Sequence, residues 1–236
     1  MVTALIVAAG KGKRMGLGYN KQYLLIDGKE VISRTIDVFE EAEFIDNIVV
    51  VVSKDEIEYF KENIVERYGY KKIEAIVCGG EERQHSVYNG LVECKRSDIV
   101  VIHDGARPFV KKEHILETIN MAKKYGASAL AVKAKDTVKL VEGDFFQQTL
   151  DRNSIYFIQT PQTFQYQLIL RAHEYAKEKG IFATDDTSLV EQLGKKVAVV
   201  EGSYDNIKIT TKEDIYLAEL ILKKMKFFKK EVAIFV

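Results

Sequence analysis

The sequence predicts an α/β fold built on a doubly wound, mostly parallel sheet. Three observations carry that expectation. Leu5, Ile6 and Val7 read as a short buried strand that runs straight into a loop with Gly10, Gly12, Gly16 and Gly18. Residues 48–52, Ile-Val-Val-Val-Val, form a continuous β-branched run, as expected of a parallel strand covered on both faces. Stretches with helical spacing alternate with such runs, and this βαβα order places ligands at the carboxyl ends of the strands.

Taken in order, the first strand is followed by a helix in which Val31, Ile32, Thr35, Ile36, Phe39 and Ala42 share one face. After the strand at 48–52, Ile57, Phe60, Ile64 and Tyr68 mark a second helix, and 73–77 a further strand. The loop 78–86 (Cys-Gly-Gly-Glu-Glu-Arg-Gln-His-Ser) leads into a helix containing Val87 and Leu91. A hydrophobic strand from Ile99 then delivers Asp104 to the carboxyl edge of the sheet. A helix with Ile115, Ile119 and Ala122 precedes a strand at 127–132, and there the alternation breaks. Residues 135–152 read as two short strands about a Glu142-Gly-Asp turn. Such a ribbon is marginal alone and needs either a partner surface or its own domain to lie against. Asp151-Arg152, Thr160-Pro161 and Thr184-Asp185 are expected in loops. Residues 206–210 alternate like a strand, with Lys208 on one face and Ile207 and Ile209 on the other. Ile215, Ala218 and Leu222 mark the last helix.

A chain of 236 residues fits one large domain, 1–236, better than two small ones. The 35 basic residues balance 35 acidic ones, which argues against general nucleic-acid binding through a basic face. Cys78 and Cys94 show no Cys-x-x-Cys spacing, so reduced thiols and a cytoplasmic location are expected. The apolar run at 4–9 is far shorter than the roughly 20 residues of a membrane span, and no basic segment precedes it as in a signal peptide.

The first loop is the strongest chemical signal. Lys11, Lys13, Arg14 and Lys21 lie on or near it, and no acid occurs before Asp27. Glycines let backbone N–H groups approach a phosphate chain, and the absence of acids keeps the local potential positive. A P-loop is excluded because Gly-Lys-Ser/Thr is missing. A dinucleotide fingerprint is excluded by Met15 and by Ser53 at the end of the second strand. A solvated basic turn is the alternative. The Gly79-Gly80 pair permits close approach of a flat base, whose edge Ser86 or the loop backbone could bond. The same residues also fit an ordinary helix start. Asp104, an acid in a basic cleft, suits Mg²⁺ or a hydroxyl group. His103 reads as a packed strand-end residue rather than a base. Arg152 offers a planar fork suited to a second phosphate, with Thr184 to orient it. On spacing alone, Lys208 is a solvated edge residue.

The run Ala8-Ala9-Gly10-Lys11-Gly12-Lys13-Arg14-Met15 with Lys21-Gln22-Tyr23 resembles the signature of sugar-phosphate nucleotidyltransferases. Read with Asp104-Gly-Ala-Arg-Pro108, Asp151-Arg-Asn153, Thr160-Pro-Gln162, Thr184-Asp-Asp186 and Asn206-Ile-Lys-Ile-Thr210, it resembles one family closely. That family is 2-C-methyl-D-erythritol 4-phosphate cytidylyltransferase, of the non-mevalonate isoprenoid pathway. The matches run in the family's order from about residue 4 to 221.

The resemblance implies a Rossmann-like nucleotidyltransferase fold with a protruding β-hairpin arm, and transfer of CMP from CTP to a polyol phosphate. It implies Arg14, Lys21 and Lys208 as catalytic cations, and Ala8, Ala9, Gly10, Gly12, Gly80, Arg83 and Ser86 as nucleotide-binding residues. It places Asp104, Arg107, Thr137, Arg152, Thr160 and Thr184 on the second substrate. Asp104 is also the implied ligand of Mg²⁺ or another divalent cation. The segment 135–152 is implied to be an arm embracing a second subunit, giving a homodimer. Gly105 departs mildly from the pattern, since the family often has Ala there. A ribitol-5-phosphate cytidylyltransferase shares several of these motifs, but Ala9 and the Asp151-Arg-Asn153 order favour methylerythritol phosphate. A nucleotide-sensing protein without catalysis would keep the loop but lose a cation at Lys21 or Lys208, and both are present.

Overall fold

A computed structural model describes the backbone of residues 1–10 and 21–234 and the side chains of 1–10 and 22–227. The first half runs β1 (Val2–Val7), β2 (Leu25–Ile26), β3 (Lys29–Glu30), α1 (Val31–Glu40) and β4 (Asn47–Val52). Then come α2 (Ile57–Phe60), which continues into a π-helical stretch Lys61–Glu66, β5 (Ile73–Cys78), α3 (Arg83–Glu93), β6 (Ile99–Asp104), α4 (Lys112–Tyr125) and β7 (Ala127–Lys133). The second half holds β8 (Lys139–Glu142), β9 (Phe145–Thr149), β10 (Tyr156–Gln165), α5 (Tyr166–Lys179), α6 (Asp186–Gln192), β11 (Ala198–Glu201) and α7 (Lys212–Ile234).

Seven strands form the central sheet in the order β11-β7-β10-β6-β1-β4-β5. β1 pairs in parallel with β4 on one side and β6 on the other, so the winding reverses at β1. The crevice outside its carboxyl end is therefore the topological switch point, where open α/β sheets bind ligands. Side chains alternate across the sheet. Ile6, Val50 and Val101 join α1 and α4 in one buried cluster, while Leu5, Val49, Val51 and Val100 join α3, α5 and α6 in another. A third cluster, with Leu24, Ile26, Phe109, Ile209 and Ala218, seats α7 and the residues before it.

The doubly wound, mostly parallel expectation holds, and three local expectations change. Thr160-Pro161 lies inside β10, antiparallel to β6 and β7, rather than in a loop. The proline lacks a donor for the ladder, and the register shift between Ile158 and Gln162 takes it out of the pairing. Residues 206–210 form no strand; the alternation survives because Ile209 is buried and bonds Ala106 O through its N–H at 2.9 Å. The β2–β3 hairpin was not anticipated, although Asp27 and Gly28, both at positive φ, supply the turn that an Asp-Gly pair favours. The ribbon in 135–152 forms as expected, β8 against β9, and both its strands are exposed along their length.

Candidate active site

Four parallel strands and one bonded segment meet at a cleft of about 930 Å³. The end of β1 contributes Ala8, Ala9 and Gly10; the β4 end Ser53; the β5 end Cys78 to Arg83; and β6 contributes Asp104, with Lys208 arriving from the segment before α7. The three loops are pinned to one another. Ala8 N–H donates to Val51 O at 2.7 Å, Gly79 N–H to Val52 O at 2.8 Å, and Ser53 Oγ to Ala9 O at 3.0 Å. Gly79 is needed for this approach, because a Cβ there would sit 2.2 Å from Ala9 Cβ. Ser86, in the first turns of α3, accepts from Gly80 N–H at 3.1 Å and donates to Glu82 O at 3.1 Å. It shapes the glycine loop from behind.

Asp104 is the buried centre of a cationic group. Its Oδ1 faces Arg83 Nε at 3.3 Å, and its Oδ2 faces both Arg107 Nε at 3.3 Å and Lys208 Nζ at 2.9 Å. Burial opposes ionisation of Asp104, but Arg83, Lys208 and Arg107 together outweigh it and hold the carboxyl well below the usual carboxylate range. Arg107 also donates to Asn206 O at 2.8 Å, which fixes the segment that carries Lys208. One buried carboxylate thus gathers three cations at the sheet edge, two of which, Arg83 and Lys208, line the cleft.

Behind Asp104 lies a buried chain of hydrogen bonds. Thr160 Oγ1 accepts from Asp104 N–H at 3.1 Å and donates to His103 Nδ1 at 3.0 Å, while His103 Nε2 donates to Arg107 O at 3.0 Å. Burial pushes the His103 pKa down to about 4, so the ring is neutral, as this tautomer requires. His103 is a packed strand-end residue, as expected. Thr160 supports Asp104 instead of lining the cleft.

The structure brings Ala8, Ala9, Gly10, Gly80, Arg83, Ser86, Asp104 and Lys208 to the cleft, with Arg107 in contact through Asp104. Gly12 and Arg14 lie outside the described residues. Lys21 opens a short 3₁₀ turn, Lys21–Tyr23, beside Gln22, which lines the cleft. Thr137, Arg152 and Thr184 are exposed and are not among the cleft-lining residues. Arg152 instead donates to Lys135 O at 3.1 Å, at the base of the β8–β9 ribbon. Sequence reasoning missed Asp186 and His173, which lie buried behind Arg83. The Thr184-Asp185-Asp186 motif was the available signal for the first; His173 sits mid-helix in α5 and carried none.

The family model for 2-C-methyl-D-erythritol 4-phosphate cytidylyltransferase matches residues 2–224. A relative of that name from Geobacillus kaustophilus is 51% identical over 93% of this chain and 96% of its own. Another, from Caldanaerobacter subterraneus subsp. tengcongensis, is 52% identical over 94% of this chain and 99% of its own. The crystal structure of 4-diphosphocytidyl-2C-methyl-D-erythritol synthase from Anaerococcus prevotii superposes with a TM-score of 0.85 at 36% identity, covering 94% and 96% of the two chains. With residues 2–224 matched by the family model and relatives of about half identity over nearly the whole chain, the chain belongs to the 2-C-methyl-D-erythritol 4-phosphate cytidylyltransferase family.

Proposed function

We propose that the chain transfers CMP from CTP to 2-C-methyl-D-erythritol 4-phosphate, releasing pyrophosphate. A phosphomonoester oxygen forms a new bond to the α-phosphorus of CTP. The bond between the α-phosphorus and the bridging oxygen breaks, and its electron pair leaves with pyrophosphate. The product is 4-diphosphocytidyl-2-C-methyl-D-erythritol. A phosphate dianion is already nucleophilic, so catalysis is positioning and charge stabilisation. The observation that carries the reading is the convergence of Arg83, Arg107 and Lys208 on Asp104 beside the glycine exit of β1. Lys208, with Arg14 and Lys21, neutralises charge that develops at the α-phosphate. The Gly79-Gly80 loop and Ser86 hold the base.

Mg²⁺ belongs to this reading as a companion of the triphosphate. Among the described residues no cluster of three His, Cys, Asp or Glu side chains could cage a metal, and Asp104 is the buried carboxylate on the cleft. Mg²⁺ commonly takes one or two carboxylates and completes its shell with water and phosphate oxygens. With Asp104 Oδ2 already facing Lys208 and Arg107, a cation delivered on the nucleotide would take Oδ1, which Arg83 Nε faces at 3.3 Å. Bound there, it supplies charge neutralisation.

A homodimer belongs to it as well. The β8–β9 ribbon exposes Val141, Phe145 and Phe146, and the nearby start of β10 exposes Tyr156 to Ile158. That apolar surface supports an arm that packs on a second copy. Arg152 and Thr137, which are not among this chain's own cleft-lining residues, then serve the neighbour's substrate. The cytoplasm is the compartment we assign, on the two free cysteines. Among the described residues no helix is long and apolar enough to cross a membrane. Pyrophosphate release that requires both CTP and the polyol phosphate supports the transfer; release from CTP alone, unaffected by the second substrate, contradicts it.

A further inference from the structure

Among the described residues, Arg83 is the one cleft-lining side chain shared between two buried carboxylates. Its Nε faces Asp104 Oδ1 at 3.3 Å, while its Nη1 donates to Asp186 Oδ2 at 2.7 Å. Asp186 does not line the cleft; it is 1% exposed and opens α6. Its position is over-determined. The Asp186 N–H donates to Gln162 Oε1 at 2.9 Å, and its second carboxylate oxygen accepts from His173 Nε2 at 3.2 Å. His173, on α5, is itself 2% exposed. Gln162 in turn sits on β10, two residues after Thr160, which supports Asp104. Two buried carboxylates on different elements therefore compete for one guanidinium, and the shorter contact goes to the one outside the cleft.

We propose that Asp186, held by His173 and Gln162, is a positioning residue that draws Arg83 away from Asp104 and fixes the guanidinium for the nucleotide. The physical reason lies in the fork. A guanidinium beside a single carboxylate turns to pair with it bidentately, because two parallel N–H···O bonds are stronger than one. Without Asp186, Arg83 would close on Asp104, neutralise it, and withdraw its own charge from the cleft. With Asp186 in place, Asp104 receives one long contact from Nε and keeps its Oδ2 for Lys208 and Arg107. A buried carboxylate is costly unless paired, and here Arg83 and His173 supply the pairing. The cost is incurred at a point where the partner is a cleft residue.

The inference rests on Arg83 belonging to the nucleotide site, and a double-mutant cycle in kcat/KM for CTP separates the two. Asp186→Asn should lower kcat/KM about tenfold or more in the otherwise unchanged enzyme, with less than a twofold effect when Arg83 is already Gln. Residues that act as a unit show such non-additivity. If Arg83→Gln costs activity while Asp186→Asn costs the same factor in both backgrounds, the positioning role is wrong and the site assignment stands. If Arg83→Gln changes nothing, both fall. Should Asp186→Asn fail to fold, His173→Leu and His173→Gln replace it in the same cycle. His173→Gln keeps a donor for Asp186 and should stay within about twofold of wild type. His173→Leu should lower kcat/KM, and only while Arg83 is present; an equal loss for both His173 variants would overturn the proposal.

Discussion

Lys208 shows how a single residue changes meaning with its neighbours. Its spacing alone describes a solvated lysine, and its side chain is indeed partly open to solvent. What distinguishes it is Asp104, which holds its ammonium at 2.9 Å and points it into the cleft. If that charge acts mainly on the transition state, Lys208→Ala should lower kcat/KM by about 10²-fold or more, by analogy with loss of one preorganised donor. The melting temperature should change little, because a partly exposed lysine contributes little to the core. Equal losses in activity and stability would move Lys208 from chemistry to scaffold. The two cysteines give a second residue-scale prediction. Burial pushes the Cys94 thiol up to about 12, so it carries no reactive thiolate at neutral pH. Cys78, by contrast, lines the cleft. Peptide mass analysis after mild alkylation should show Cys78 modified, Cys94 intact, and Cys78 protected by CTP. Labelling of Cys78 at an unchanged rate under saturating CTP would place the nucleotide elsewhere.

At the scale of elements, α3 carries the argument, since it holds both Arg83 and Ser86 over the sheet. It packs closely because Gly90 faces Leu5 and Val51. A Cβ there would lie 2.3 Å from Leu5 Cδ1 and 2.9 Å from Val51 Cγ2. Gly90→Ala should therefore destabilise the fold by about 1–3 kcal/mol, the usual cost of overpacking, despite alanine's better helix propensity. A denaturant midpoint at or above that of the wild type would show that α3 has slack. Much of this layer is legible in the sequence. The β-branched run of β4, the glycine exit of β1 and the strand ending in Asp104 each announce themselves locally. What is not legible depends on distant partners. The Arg83–Asp186 pair spans 103 residues, and nothing near His173 in sequence marks it. Thr160-Pro161 misleads for a physical reason: proline normally argues against a central strand, yet the register shift in β10 accommodates it. Asn206 to Thr210 misleads oppositely, since alternation arises there from one buried isoleucine beside one cleft-facing lysine, without a ladder.

On the scale of the whole molecule, the ribbon is exposed along both strands and Arg152 sits at its base, so the proposed dimer is open to direct test. Mixing a Lys21→Ala protein with an Arg152→Ala protein tests whether sites are shared. In a mixed dimer with shared sites, one site collects both changes and the other neither. Random reassortment makes half the dimers mixed, so about a quarter of wild-type activity should return. If each chain completes its own site, nothing returns, even after native mass measurement confirms that subunits have exchanged. The central claim, that this cleft passes CMP to methylerythritol phosphate, is tested most directly by competition. The enzyme is given CTP, Mg²⁺ and equal amounts of methylerythritol phosphate and ribitol phosphate, and the products are resolved by mass spectrometry at low conversion. Their ratio is the ratio of the two kcat/KM values. The account predicts the CDP-methylerythritol product in excess; equal amounts, or an excess of CDP-ribitol, would contradict it.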